Sequence, residues 1–258
     1  MDRPSPITKR KSLLTRLLEK LISRIKGREY SLDPNIPVSV LVSTSTRRLI
    51  WLVRGNLKSL VLRQSLCSVF VAPGVTWRNA RMIRFGRGVT IERGVILDGL
   101  SRRGVEIGDD VMIGAYSIVR ASMLSNLGEG LSIGKKSSLD AYSFIGAGGG
   151  VFIGDCVIMG QHVSFHAENH QYDRLDLPIR EQGTRRQGIV IEGDCWIGSN
   201  AVFLDGAHVG RGCVIAAGAV VRGKIPAYSV VAGVPGRVIK SRRQETLSQV
   251  PEAPSLVS

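Results

Sequence analysis

Large apolar residues recur at every sixth position over long stretches of this chain, and that beat restricts the fold more than any other feature. From Ile191 the steps land on Ile197, Phe203, Val209, Ile215 and Val221. Four residues after each of the first five stands a small residue: Cys195, Ala201, Ala207, Cys213 and Ala219. The same frame appears upstream in blocks: Phe85, Ile91, Leu97; Ile107, Ile113, Val119; Ile133, Leu139, Ile145; Ile153, Met159, Phe165. Insertions at 98–106, 120–132 and 146–152 separate the blocks. An amphipathic helix would repeat at i, i+3, i+4 and i+7, and a half-buried strand would alternate. A six-residue beat fits a solenoid in which each hexad supplies one short strand and one corner. Three hexads close one coil of a triangular prism, a parallel β-helix whose large and small marker residues point inward. Roughly 140 residues of repeat allow about seven or eight coils of about 18 residues, less the insertions. The 30 glycines are spread along the chain, as corners needing unusual φ would require.

The expected organisation is a basic segment over 1–70, the β-helix over 71–240 and a flexible tail over 241–258. The net charge of +14 is uneven: residues 1–70 carry 14 Lys and Arg against 4 Asp and Glu. Such a segment suits a solvated arm or an anionic surface, with lipid headgroups favoured over nucleic acid. Within it SLLTRLLEKLISRIKG (12–27) reads as an amphipathic helix. Leu13, Leu14, Leu17, Leu18, Leu21, Ile22 and Ile25 share one face, and Arg16, Lys20, Arg24 and Lys26 lie opposite. Ser12 is the expected N-cap and Gly27 the stop. A basic amphipathic helix lies on an anionic membrane or packs on protein. LIWLV (49–53) is too short to span a bilayer and is flanked by Arg47, Arg48 and Arg54. Met1–Lys11 lacks the apolar core of a secretory signal. Cys67, Cys156, Cys195 and Cys213 form no CxxC pair, so neither a zinc site nor a disulfide framework is signalled, and a reducing cytoplasm is expected.

The beat stops after Phe165 and resumes at Ile189, leaving 166–188 as an excursion. It contains FHAENHQYDRLDLP (165–178) at its start, with His166, Glu168, Asn169, His170 and several more charged residues. Long loops in compact domains are often functional. The GAGGG run (146–150) opens no helix, so it fails the context of a phosphate-binding loop and reads as a tight insertion.

From Ile153 to Lys240 the chain resembles the hexapeptide-repeat acyltransferases, the sugar O-acetyltransferases above all. These include galactoside, maltose and nodulation-factor enzymes and those of capsule and lipopolysaccharide. The carriers are IGDCVIMGQHVSFHAENH, the following coils through AAGAVV, and the terminal GVPGRVI. The resemblance implies a left-handed helix, an acetyl-CoA donor, no metal, a homotrimer and a sugar or polysaccharide acceptor. The family histidine lies fifteen residues after the aspartate of IGD; counted from Asp155, that is His170. Imidazole suits removal of the hydroxyl proton. Glu168, Asp155, Asp140 or a backbone carbonyl would orient it, and a backbone N–H or Ser199 would face the oxyanion. The family transfers directly in a ternary complex, so Cys195 and Cys213 read as inward packing residues.

Carried over residue by residue, Ser199, Ala217, Gly218, Arg222, Arg237 and Lys240 match cofactor-contacting positions along a groove between prisms. Relatives often have Thr-Lys where this chain has Arg222-Gly223, which puts the phosphate contact in doubt. Asp140, two coils before the histidine by the family's register, and Asn169 match acceptor-binding positions. Trp196 matches a tryptophan near the active site, against a packing role at a corner. The function expected is O-acetylation of a surface polysaccharide or its precursor, in the cytoplasm and peripheral to the membrane. The alternatives are N-acetylation of an amino-sugar nucleotide and a silent β-helix used for assembly. A γ-type carbonic anhydrase needs three zinc histidines, whereas His162, His166 and His170 are four apart and out of phase with the beat.

Overall fold

The computed structural model describes residues 12–26, 29–61, 68–121 and 126–243, and the chain divides into two compact units, Met1–Trp51 and Leu52–Ser258. The Gly27 stop, Cys67 and the tail beyond residue 243 lie outside the described residues. The second unit is a left-handed parallel β-helix with three faces. Face one begins with Phe70–Val71, face two with Thr76–Arg78 and face three with Ile83–Phe85. Seven coils follow one another, each strand pairing in parallel with the equivalent strand of the next coil. The expected 18-residue coil occurs once, between paired Trp196 and Val214. Other coils are longer, and the last step, Val214 to Val230, is shorter. All the long connections leave face two and enter face three. The other two corners stay tight.

The interior is what the beat required. Ile191, Ile197, Phe203, Val209, Ile215 and Val221 are all buried, as are the small residues between them. In earlier coils Ser117, Ser137 and Ser143 take the small inward slot, and their hydroxyls bridge coils: Ser137 Oγ donates to Gly154 O (2.8 Å) and accepts from Val157 N (3.0 Å). A buried hydroxyl is tolerated only when so satisfied. Phe165 and Phe203 stack in the core with centroids 4.8 Å apart.

Glycine does not supply all the corners. The face one to face two corner has positive φ at Gly74, Gly94, Tyr116, Tyr142, His162, Asn200 and Gly218 in successive coils. A left-handed conformation costs a side-chain-bearing residue about 1–2 kcal/mol. Three of these residues offset it by stacking: Tyr116 on Tyr142 at 5.3 Å and Tyr142 on His162 at 5.2 Å. Each such pair is worth about 0.5–1.5 kcal/mol. Below them Gly94 is needed for space, because a Cβ there would sit 2.5 Å from the Tyr116 ring.

Two helices precede the prism. In α1 (Leu13–Lys26), Ser12 is the N-cap, its Oγ accepting from Thr15 N at 3.1 Å. Leu13 and Leu17 are exposed, so part of the apolar face is uncovered. Glu19 accepts from Leu32 N at 2.7 Å, tying the connection back to α1. The second helix, α2 (Val38–Val61), was not expected from the sequence. Near its end Gly55 lies against the first coil: a Cβ there would meet Val69 O at 1.8 Å. At the other end Ser229–Ala232 extends face one, and Arg237–Ser241 returns antiparallel to it. The GVPG turn between them closes the prism as expected of the terminal signature.

Truncating the stacked pair tests the core. Phe203→Ala removes a fully buried ring and is expected to cost about 3–5 kcal/mol, read as a lower denaturant midpoint for loss of the β-sheet circular dichroism signal.

Candidate active site

The excursion is a built structure. His166 still belongs to face two, paired with Gly146 and Leu204, so the chain departs at Ala167. Asn169–His170 then pairs antiparallel with Thr184–Arg185. The tip is held by its own contacts. Gln182 Oε1 accepts from Arg174 N (3.0 Å), its Nε2 donates to Leu177 O (2.9 Å), and Arg174 pairs with Asp176. Tyr172, Leu175 and Ile179 are exposed there.

His170 and Asn169 are both exposed at the root of this hairpin. Among the described residues no side chain hydrogen-bonds the His170 ring. Each carboxylate proposed to orient it is engaged elsewhere. Glu168 pairs with Arg186 (Oε2 to Nε, 2.6 Å). Asp155 accepts from Lys135 N (2.9 Å) at the face three to face one corner, and Asp140 accepts from Ala141 N (2.7 Å). The other two histidines of the series sit apart from His170. His162 is in the corner stack, and His166 lies 5.6 Å from the Phe144 ring on face two.

Four of the other expected residues form a second group. Asp140, Ser199, Ala217 and Gly218 fall in one column along the face one to face two corner. Gly218 N donates to Ser199 O at 2.9 Å, and a Cβ on Gly160, one coil below, would lie 2.5 Å from Ser199 Oγ. Around Gly218 and Gly223 a Cβ would meet nothing within 4 Å. Asp140 stands one coil below the strand that feeds the excursion, since Leu139 pairs with Met159, rather than two coils as the family's register implied. Arg222 is exposed at the face two to face three corner, and Arg237 and Lys240 are exposed on the returning strand. Trp196 is not at a corner. It points outward from face one, 60% exposed, in line with the exposed Ile158.

A single chain therefore carries two columns on opposite edges of face two. His170 and Asn169 leave one edge; Ser199, Ala217 and Gly218 line the other. A three-residue strand, about 10 Å long, separates the corners. Cys195 and Cys213 are buried inside the prism, as read. The neighbouring Cys213 thiol and burial push the Cys195 pKa up, and the two thiols donate to backbone carbonyls, Cys195 Sγ to Gly210 O and Cys213 Sγ to Pro226 O. Sequence reading counted Arg186 only as part of a charged loop. The opposed charges of Glu168 and Arg186, one just inside each end of the excursion, were the available signal.

Comparison with known proteins agrees with this architecture. The model described as "Bacterial transferase hexapeptide (six repeats)" matches residues 188–223, and "Hexapeptide repeat of succinyl-transferase" matches 104–147. A protein of Mycobacterium tuberculosis named as a probable acetyltransferase is 36% identical over 163 residues, 63% of this chain. The match spans only 51% of that longer protein. An Escherichia coli protein named for O-acetyl transfer in lipopolysaccharide biosynthesis is 30% identical over 169 residues, 66% of this chain and 76% of its own length. Among solved structures, an N-acyltransferase from Bacillus cereus in complex with dTDP and 3-hydroxybutyryl-CoA aligns with TM-score 0.46 and 17% identity, over 69% of this chain and 82% of its own. The chain belongs to the hexapeptide-repeat acyltransferase family.

His170→Ala is expected to leave thermal stability unchanged within about 0.5 kcal/mol, because the side chain is exposed and makes no hydrogen bond or ring contact among the described residues. A melting curve checks this.

Proposed function

We propose that the protein transfers an acetyl group from acetyl-CoA to a sugar hydroxyl of a surface polysaccharide or its precursor, with His170 as general base. The observation that carries this reading is the imidazole itself. It stands exposed on a paired hairpin outside the prism, with no hydrogen bond or ring contact among the described residues, at the position that the resemblance matches to the family's base. O-transfer is favoured over N-transfer by the Escherichia coli relative, most of whose length is matched.

The residues suit the donor. The open space beside Gly218 suits a slender chain running along the Ser199 and Ala217 backbone, and Arg222, Arg237 and Lys240 supply cationic groups for phosphates. The thioester supplies an activated carbonyl. His170 removes the proton as the acceptor oxygen bonds to that carbon. It returns the proton to sulfur as the carbon–sulfur bond breaks, leaving a sugar ester and free thiol. A backbone N–H or Ser199 faces the intermediate oxyanion. Because the two columns of one chain lie on opposite edges of face two, the working site pairs His170 of one copy with the donor column of its neighbour in a trimer. Asp140, Asn169 and the outward Trp196 are the acceptor and groove contacts of this reading.

The domain boundaries that go with it are a membrane-facing segment over 1–70 and a catalytic prism over 71–240. No helix among the described residues is long and apolar enough to cross a bilayer. In α2, Val38, Val42, Leu49, Ile50, Val53 and Leu57 are exposed along one broad stripe, with Arg47, Arg54 and Lys58 on one side of it and no acidic residue in the helix. An apolar stripe flanked by cations fits the surface of an anionic bilayer. There the enzyme would meet a lipid-linked glycan.

Acceptor-dependent release of CoA is expected from the native protein and is expected to fall about 10²–10⁴-fold in His170→Ala. A mild-base-labile product identifies an ester; a stable one would turn the reading to N-transfer. Co-sedimentation with vesicles containing phosphatidylglycerol, but not with phosphatidylcholine alone, is expected of the full chain. Equal absence from both pellets would remove the membrane from the account.

A further inference from the structure

We infer that Glu168 and Arg186 are positioning residues for His170, forming a clamp that seats the excursion on the glycine run at 148–150. The inference rests on His170 being the base. It concerns residues that the comparisons assign no role.

Glu168 and Arg186 stand one rung closer to the prism than the paired residues Asn169 with Arg185 and His170 with Thr184. Arg186 Nε and Nη2 both reach Glu168 Oε2, at 2.6 and 2.5 Å, while Nη1 donates to Leu127 O at 3.0 Å. The two side chains are 21% and 32% exposed, less than either partner of any other ion pair among the described residues. Two guanidinium nitrogens converge on one carboxylate oxygen while the third holds a backbone carbonyl, so the planar group is fixed in direction and orients as well as holds. The pair thus joins three insertions of one corner: the excursion, the 121–130 segment through Leu127, and the 146–150 run beneath. A weaker link runs the same way, Asn126 Nδ2 to Thr184 Oγ1 at 3.5 Å, and Thr184 is the residue opposite His170.

The glycines are the seat. A Cβ on Gly148 would lie 2.9 Å from Glu168 Oε2. One on Gly149 would lie 2.4 Å from Ala167 O, 2.9 Å from Gly188 N and 3.2 Å from Arg186 Cβ. Gly149 N also donates to Ala167 O, and Ile189 N to Gly150 O. Both ends of the excursion therefore rest on backbone that only glycine leaves clear. Glu168 directly precedes the paired strand Asn169–His170, and Arg186 directly follows its partner Thr184–Arg185. Holding these two residues together therefore holds the root of the strand that carries His170. Displacing a catalytic group by about 1 Å costs on the order of 10²-fold in rate.

Arg186→Ala, Arg186→Lys and Gly149→Ala test the clamp in the full-length protein. Two quantities are compared with the native protein: the tryptic cleavage rate at Arg174 and Arg180, and steady-state kinetics. The expected result is faster cleavage at the tip and a kcat lower by about 10²-fold, with KM for acetyl-CoA unchanged. Added ethylguanidine restores part of the kcat of Arg186→Ala, and Arg186→Lys recovers less than the full rate. An unchanged kcat in Arg186→Ala overturns the inference, whether or not cleavage accelerates. So does a fall in kcat without faster cleavage, or one accompanied by a collapsed melting temperature in all three variants. If the native protein itself transfers no acetyl group, the reading of His170 fails instead. The cleavage rates then still decide whether Glu168 and Arg186 hold the hairpin.

Discussion

Every coil of this prism is held by backbone hydrogen bonds to the coil above and the coil below, and that parallel ladder is what everything else must respect. A coil cannot shift without breaking the register of all three of its faces. The interior therefore fills with columns, one large residue above another, and the six-residue beat is the trace of those columns in the sequence. Phe165 under Phe203 and Cys195 under Cys213 are members of such columns.

The ladder also dictates where variation is allowed. Two corners of the triangle stay short in every coil, and the third takes all the insertions. The tight corners carry backbone that is unfavourable for most residues, and the chain meets this in two ways: glycine where a ring needs the room, and a stack of Tyr116, Tyr142 and His162 where side chains support one another. The permissive corner instead accumulates polar contacts between insertions of successive coils. Arg102 and Arg103 reach Glu129, and Arg186 reaches Glu168 and Leu127. His170 belongs to this corner, while Ser199, Ala217 and Gly218 belong to a tight one.

Most of the fold was legible because hexad periodicity is local. Ile153, Met159 and Phe165 declare the inward position of three successive hexads without knowledge of any other coil. The face to which each hexad belongs is not local, so the sequence did not reveal that all insertions share a corner, or that Asp140 lies one coil below the excursion. The helix Val38–Val61 was missed because its first turns, VSVLVSTST, are, apart from Leu41, β-branched or hydroxyl-bearing residues of low helix propensity. At the candidate site, the resemblance, counted from Asp155, pointed to His170 as the expected base, and the structure shows that residue exposed on the paired hairpin. The engagement of Glu168 by Arg186 was not readable, because the contact crosses the whole excursion and depends on glycines contributed by another coil.

A parallel ladder has no natural last rung. Its final strand offers the same free N–H and carbonyl groups as any other, and a second molecule stacked on the end would satisfy them. In this chain Arg237–Ser241 takes up the upper edge of face one in the antiparallel sense, which a following coil of parallel strands cannot continue in register. At the opposite end Gly55 brings a helix backbone against Val69. The two ends thus fix the number of coils and keep the molecule discrete. A solenoid cut free of them would be prone to grow end to end as a fibre.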